Sequence, residues 1–308
     1  MDLSVQIGPL MLKNPVLLAS GTWGFGKKLK NYINLGSLGG LVSKGISFEP
    51  REGNPPPRLA ETPCGLINAI GLENPGVKAF KKYILPEMLS WQTPILVNIF
   101  GENIEEFLKV AEELKHEPVA GFELNVSCPN VAKGGLSFGH DPEAVKNLVS
   151  ELRLFYKGFL VVKLPPVGPV FKVAEAALNA GAHALTVANT YPALAVDLLH
   201  RKPALARGSG GLSGPAIKPL TLKLVYDLYR QFKAPIIGCG GIVSGKDALE
   251  YIACGAKAVQ VGTATLLDPE NPKRILQEIA EELQKLQETK ISSLYAALHL
   301  TDNKDKAK

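Results

Sequence analysis

Eight short apolar runs recur along this chain, and their spacing constrains the fold more than any other feature. They are PVLLASG (15–21), GGLVSKG (39–45), PILVNIF (94–100), GFELNVSC (121–128), FLVVKLPP (159–166), ALTVANT (184–190), PIIGCGG (235–241) and AVQVGTA (258–264). Near-continuous Val, Ile and Leu character marks strands covered on both faces, as in a parallel sheet. Parallel neighbours need crossover connections, usually helices. The pattern predicts helices over 76–90, 103–116, 141–156, 169–180, 215–231, 244–254 and 271–286. In the 103–116 segment, Asn103 and Glu106 have capping-box spacing, and Ile104, Phe107, Leu108, Ala111 and Leu114 form one stripe. In the 271–286 segment, Asn271 is the expected cap and Pro272 suits the first helical position. Strand and helix alternating eight times predicts a (β/α)8 TIM barrel, with a doubly wound open sheet as the structural rival.

The first residues fit the same plan. The segment SVQIGPLMLKNP alternates and turns at Gly8-Pro9, which predicts an N-terminal β-hairpin closing the barrel floor. Two connections, 46–75 and 191–214, are too long for plain turns, and long loops at the C-terminal face of barrel strands are where active sites are built. Residues 1–288 read as one barrel domain, and 289–308 as a C-terminal helix or flexible tail whose last eight residues, TDNKDKAK, are expected to be disordered.

Composition excludes several classes of function. At 308 residues and 46% hydrophobic, the chain can bury a large core. Its net charge of +5 is spread without a basic block, which argues against nucleic-acid binding. Cys64, Cys128, Cys239 and Cys254 lie far apart with no CxxC pair, so neither a structural zinc nor an iron–sulfur cluster is expected within the chain. There is no signal-peptide pattern and no apolar stretch of membrane-spanning length, so a soluble, cytoplasmic protein is expected.

In a barrel the strand C-termini open onto one face, so the polar residues at those ends converge. They are Ser20, Lys44, Asn98, Asn125, Cys128, Lys163, Asn189, Thr190, Gly240, Gly241, Gly262 and Thr263. Taken singly, each has an ordinary explanation: a solvated loop lysine, a turn-forming asparagine, a buried and inert cysteine. Together they describe a site. A thiol at Cys128 between Asn125 and Asn130 suits proton abstraction beside a carbonyl in a flat polar molecule. Two lysines in a half-buried mouth repel unless something anionic or electron-rich lies between them. Gly240-Gly241 after the seventh strand and Gly262-Thr263 after the eighth match the pair of loops with which barrels hold phosphate, through backbone N–H groups at a helix N-terminus. That phosphate could belong to an aromatic cofactor or to a sugar-phosphate substrate, and residue chemistry alone does not separate the two.

The longer motifs carry a resemblance. NPVLLASGT, LVSKGIS, GNPPPRLAETPCGLINAIGLENPG, ELNVSCPNVAKGG, VVKLPP, GGLSGPAIKP, IIGCGGI and VQVGTA, spread over about residues 1–288, resemble the dihydroorotate dehydrogenase family, and specifically the catalytic subunit of its NAD-linked class 1B branch. The resemblance implies a TIM barrel that binds one FMN per chain and oxidises (S)-dihydroorotate to orotate in de novo pyrimidine (UMP) biosynthesis. By the same resemblance, Cys128 is the base that removes the C5 proton while hydride passes from C6 to FMN N5, and Lys44 assists catalysis. Ser20, Gly21, Lys44, Asn98, Asn125, Lys163, Val187, Gly214, Gly240, Gly241, Gly262 and Thr263 are the implied FMN contacts. Lys44, Asn68, Ala69, Ile70, Gly71, Leu72, Asn125, Asn130, Asn189 and Thr190 are the implied substrate contacts, with backbone amides of 69–72 on the carboxylate. The branch also implies a homodimer flanked by two copies of a partner that carries FAD and a [2Fe–2S] cluster. This chain has neither a cysteine cluster nor a strand–GxGxxG–helix unit for that task. The competing expectations are a fumarate-linked class 1A enzyme, a uracil-reducing subunit of the dihydropyrimidine dehydrogenase type, and a non-catalytic barrel that binds a phosphorylated ligand.

Overall fold

Each of the eight apolar runs forms a strand, and together they close. The computed structural model describes residues 1–127 and 138–300. An N-terminal hairpin, β1 (Val5–Ile7) and β2 (Leu10–Leu12), turns at Gly8, whose φ of 55° suits glycine. The barrel strands are β3 (Val16–Leu18), β4 (Gly40–Val42), β7 (Ile95–Ile99), β8 (Gly121–Asn125), β9 (Phe159–Lys163), β10 (Ala184–Val187), β15 (Ile236–Cys239) and β16 (Ala256–Val261). They are parallel and ordered β3-β4-β7-β8-β9-β10-β15-β16, with β16 pairing back to β3. The expected TIM barrel is therefore the observed fold, and the open-sheet alternative is excluded.

Helices α1 (Val77–Ala79), α2 (Leu85–Leu89), α3 (Ile104–Leu114), α4 (Pro142–Phe155), α5 (Val170–Asn179), α6 (Lys218–Phe232), α7 (Gly245–Ala253), α8 (Thr263–Leu267) and α9 (Asn271–Lys285) pack outside. A π-helical stretch, Phe80–Ile84, joins α1 to α2, so the expected 76–90 helix is one interrupted rod. The first connection departs from the expected alternation. Between β3 and β4 the described chain makes only 3-10 turns, at Leu29–Asn31 and Leu35–Ser37. Gly21, Gly24 and Gly26, with φ of 84°, 60° and 82°, stop a helix from forming there. Trp23, Leu29, Ile33 and Leu35 bury that segment instead.

Two capping expectations need correction. Asn103 caps α3 by accepting from Glu106 N at 3.0 Å, but the Glu106 carboxylate accepts from Glu102 N rather than Asn103 N, so the box is half made. Asn271 is the first residue of α9 rather than its cap, and its side chain donates to the Val243 carbonyl at 3.0 Å.

Side chains alternate in and out along each strand, and this builds the interior in layers. Leu17, Val42, Leu96, Val161, Ala184, Ile237 and Ala258 form an apolar floor that Ile7 and Leu12 of the hairpin plug from below. Two residues further along, the same strands present Asn98, Lys163, Thr186, Cys239 and Gln260, joined by Glu123 of β8. The register sets Asn98 beside Glu123, Thr186 beside Lys163 and Cys239 beside Gln260.

The long connections find each other above this layer. Strands β5 (Leu59–Thr62) and β6 (Gly65–Asn68) from the first connection, with β11 (Tyr191–Ala193) and β14 (Gly210–Ser213) from the second, form an antiparallel sheet ordered β11-β14-β6-β5. A short ribbon, β12 (Val196–Asp197) with β13 (Lys202–Pro203), extends from the second connection.

Candidate active site

The rim is assembled from strand ends that the barrel fixes and loops that the added sheet fixes. Asn125 ends β8 and pairs in register with Lys163 at the end of β9. Its Oδ1 accepts from Asn189 Nδ2 at 3.3 Å, and Asn189 N is itself anchored to the Leu164 carbonyl at 3.0 Å. Asn189 Oδ1 then accepts from Thr190 N at 2.8 Å. Thr190 packs its side chain against Gly211 of β14, and Asn68 Nδ2 donates to the Gly211 carbonyl at 3.2 Å. Asn125, Asn189, Thr190 and Asn68, predicted from three separate stretches, thus form one continuous polar run. Cys128 and Asn130 lie outside the described residues.

Lys44 follows β4 with its side chain 21% exposed, and its Nζ is 3.8 Å from Glu73 Oε1. Arg58 pairs with the other oxygen of Glu73 and also holds the Asn54 and Glu52 carbonyls. Asn54 in turn bonds the Ala69 carbonyl through Nδ2 at 2.9 Å and the Ile70 carbonyl through its backbone N at 3.0 Å. These contacts shape residues 69–72, the expected carboxylate-binding amides. One of the four is already engaged: Ala69 N donates to the Arg58 carbonyl at 2.9 Å, because the β5–β6 pairing runs one residue past β6. Ile70, Gly71 and Leu72 are the remaining candidates. Gly71 and Leu72 have positive φ, 79° and 56°, so the chain turns sharply where those amides lie.

Lys163 is nearly buried, and its Nζ lies 4.0 Å from Glu123 Oε1. Burial works to lower its pKa, but the Cys239 sulfur and Glu123 outweigh burial and hold it above the ordinary lysine value. Burial pushes the Cys239 thiol up, with Lys163 offsetting only part of that. Cys239 is therefore a neutral thiol near pH 7, and Glu123 is the anion that faces the ammonium. Each rim lysine faces a carboxylate of its own, Glu73 beside Lys44 and Glu123 beside Lys163.

The remaining predicted positions differ in character. Ser20 and Gly21 follow β3, and a Cβ on Gly21 would meet nothing within 4 Å. Val187 is buried in the shell between strands and helices, so only its main chain faces the mouth. Thr263, which starts α8, donates its hydroxyl to Ser213 at 2.7 Å and ties the eighth strand to β14. Gly240 and Gly241 are glycine for packing reasons. A Cβ at Gly240 would stand 2.7 Å from Thr221 Oγ1, and one at Gly241 would stand 2.8 Å from the Gly214 carbonyl. Tyr251 fixes this turn by donating to the Gly240 carbonyl at 2.6 Å. The amides that open α7 are not available to a phosphate, because Val243 N and Ser244 N bond Asp247 and Gly245 N bonds Glu278. Of the expected phosphate-binding positions, the Gly240–Gly241 turn, Gly262 and Thr263 are therefore the remaining candidates.

Glu123, Thr186, Gln260, Glu73 and Arg58 were not among the predicted site residues. The first three had a signal: each is a lone polar residue inside an otherwise apolar strand that is covered on both faces.

The fold and rim are those of a TIM-barrel enzyme, with polar side chains gathered at the strand C-termini beside the sheet formed by its two long connections. The chain belongs to the dihydroorotate dehydrogenase family, whose model matches residues 2–283. It is 46% identical over 301 residues to the dihydroorotate dehydrogenase B (NAD(+)) catalytic subunit of Geotalea daltonii, covering 97% of this chain and 99% of that one. It is also 46% identical over 282 residues to the protein of the same name from Thermoanaerobacter pseudethanolicus, covering 91% and 93% of the two chains. Among the described residues no helix is long and apolar enough to cross a membrane.

Proposed function

We propose that this chain oxidises (S)-dihydroorotate to orotate in pyrimidine biosynthesis, with FMN held at the barrel rim and electrons delivered to NAD through a separate subunit. The observation that carries this reading is 46% identity to an NAD-linked catalytic subunit across 97% of this chain and 99% of that one.

The residues present fit FMN. The Gly21 approach is open, Asn98 Oδ1 is a buried acceptor without a partner among the described residues, and the Gly240–Gly241 and Gly262–Thr263 turns lie at the ends of neighbouring strands. Ser20, Gly21, Asn98, Asn125, Lys163, Gly214, Gly240, Gly241, Gly262, Thr263 and the main chain of Val187 would hold it. When bound, FMN supplies the acceptor for the hydride lost from C6 of the substrate.

The chain's own residues supply the rest. Cys128, in its NVSCPN setting, takes the C5 proton. A general base of this kind contributes about 10²- to 10⁴-fold. Lys44 and the amides of Ile70, Gly71 and Leu72 offset the substrate carboxylate, while Asn68, Asn125, Asn130, Asn189 and Thr190 orient the ring through directed hydrogen bonds. Glu73 holds Lys44 in place until a second carboxylate arrives. The assembly is a cytoplasmic heterotetramer: a homodimer of this chain with two copies of a partner that carries FAD and a [2Fe–2S] cluster.

An absorption spectrum of the purified protein, before and after anaerobic dihydroorotate, tests the reading. A yellow protein bleached by the substrate is expected, with NAD⁺ reduction appearing only after co-expression with the partner subunit. A colourless protein that refuses added FMN would end the proposal. Fumarate turnover by the isolated chain would reassign the electron acceptor.

A further inference from the structure

Glu123 is fully buried at the centre of the barrel, and the chemistry above does not use it. Its Oε1 accepts from Asn98 Nδ2 at 2.7 Å and faces Lys163 Nζ at 4.0 Å. Its Oε2 accepts from Thr186 Oγ1 at 2.7 Å and from Gln260 Nε2 at 2.6 Å. A carboxylate offers only acceptor sites. Each neighbouring amide must therefore turn its NH2 inward and its carbonyl oxygen away. Asn98 Oδ1 and Gln260 Oε1 are, accordingly, buried acceptors with no partner among the described residues. Native interiors seldom leave such atoms unmet unless they serve a ligand or a functional strain. Asn98 Oδ1 is turned toward the segment after Lys44, where a Cβ on Gly45 would stand 3.0 Å from it. Glu123 thus sets two things at once: it offsets the Lys163 charge, and it decides which end of the Asn98 amide the rim presents.

We propose that Glu123 is a positioning residue for the flavin. It holds Lys163 as half of a neutral pair and polarises the Asn98 amide, and so would set the local charge that a bound flavin meets. This rests on FMN occupying the rim. Glu123 touches neither flavin nor substrate in this account; it acts through Lys163 and Asn98.

The test is Glu123→Gln in the FMN-loaded protein. The new side chain keeps one oxygen for Thr186 and Gln260, and its NH2 meets Asn98, which turns its Oδ1 inward. Lys163 is left without its counter-charge. Sulfite adds to flavin N5 and leaves the ring anionic, so an unbalanced cation nearby tightens the adduct. The readout is the sulfite dissociation constant from loss of flavin absorbance, without dihydroorotate or turnover. It is expected to fall about tenfold relative to wild type. Removing one member of a buried pair can also prevent folding. The double variant Glu123→Gln/Lys163→Met leaves no unpaired charge; it is expected to fold and, loaded with FMN at saturating concentration, to return sulfite binding toward the wild-type value. Unchanged or weaker sulfite binding in Glu123→Gln, sulfite binding in the double variant as tight as in Glu123→Gln, or failure of both variants to fold overturns the inference and makes the network purely structural. Wild-type protein without FMN would instead overturn the functional reading beneath it.

Discussion

Two glycines at the rim separate packing from ligand approach. Gly21 and Gly241 both have positive φ, 84° and 66°. A Cβ at Gly21 would meet nothing within 4 Å, whereas one at Gly241 would stand 2.7 Å from Lys218 Cβ, 2.8 Å from the Gly214 carbonyl and 2.9 Å from Lys218 N. Gly21→Ala should therefore cost the apoprotein only the left-handed backbone conformation, about 1–2 kcal/mol. Gly241→Ala should add an overpacking term of about 1–3 kcal/mol, because two of its three neighbours are backbone atoms that cannot swing aside. In a chain of this size each kcal/mol lowers Tm by about 2–4 °C. The Gly21 variant should melt a few degrees below wild type, and the Gly241 variant roughly twice as far below. For FMN the contrast runs differently. The open space at Gly21 is where a ligand approaches, so the added methyl should raise the FMN Kd at least about tenfold, or about 1.4 kcal/mol, out of proportion to its small structural effect. Calorimetry of the apoprotein and titration of flavin fluorescence give the two numbers. Wild-type FMN affinity in Gly21→Ala would remove Gly21 from the cofactor site. Equal Tm values for the two variants would refute the packing argument.

Other perturbations reach the remaining parts of the site. Cys128→Ala should keep yellow FMN bound and lower turnover by about 10²- to 10⁴-fold, read as steady-state NAD⁺ reduction by the assembled complex; near-normal turnover would remove Cys128 from the role of base. Arg58→Ala should weaken orotate binding by about three- to tenfold, monitored by the perturbed flavin spectrum, because it loosens residues 69–72. The Arg58–Glu73 pair is partly exposed, so little change in Tm is expected, and an unchanged orotate Kd would refute this account of the loop. Stability should fall as pH rises above about 9. Burial pushes Cys254 from 9.0 up to about 11 and Tyr156 from 10.0 up to about 12, so the folded protein keeps protons that the unfolded chain releases. Lys163 acts in the same direction, since its raised pKa contributes stability below 10.5 that is lost as pH climbs through the folded value. Urea midpoints between pH 7 and 11 check this, and a midpoint that stays level or rises would show that the burial argument has the wrong sign.

The sequence made the barrel legible because strands covered on both faces must be apolar along their whole length, and eight such runs leave little choice of sheet. It made part of the rim legible because Lys44, Asn98, Asn125, Lys163 and Asn189 all fall where those runs end. No helical pattern was legible in the first connection, and none forms there: GTWGFG carries three positive-φ glycines that forbid it. The carboxylates were missed. Glu123 lies within the run GFELN, and an apolarity count treats one charged residue there as noise. In a closed barrel it cannot be noise: a charge fully inside the cylinder needs partners from other strands. Those partners are visible in the sequence as the single polar residue two places after a floor residue, in LVN (96–98), VVK (161–163), ALT (184–186) and AVQ (258–260). Read as layers rather than as strands, the same letters give an apolar floor, a polar tier gathered on one carboxylate, and a rim of amides above it. The pairing of the two long loops into one sheet has no such signal. It joins residues more than a hundred positions apart, such as Asn68 and Gly211, through main-chain bonds that any side chains could accompany. What the sequence can specify there is only the glycines that let the strands approach, and Gly211, pressed against Thr190, is the residue whose replacement by alanine should separate the two loops.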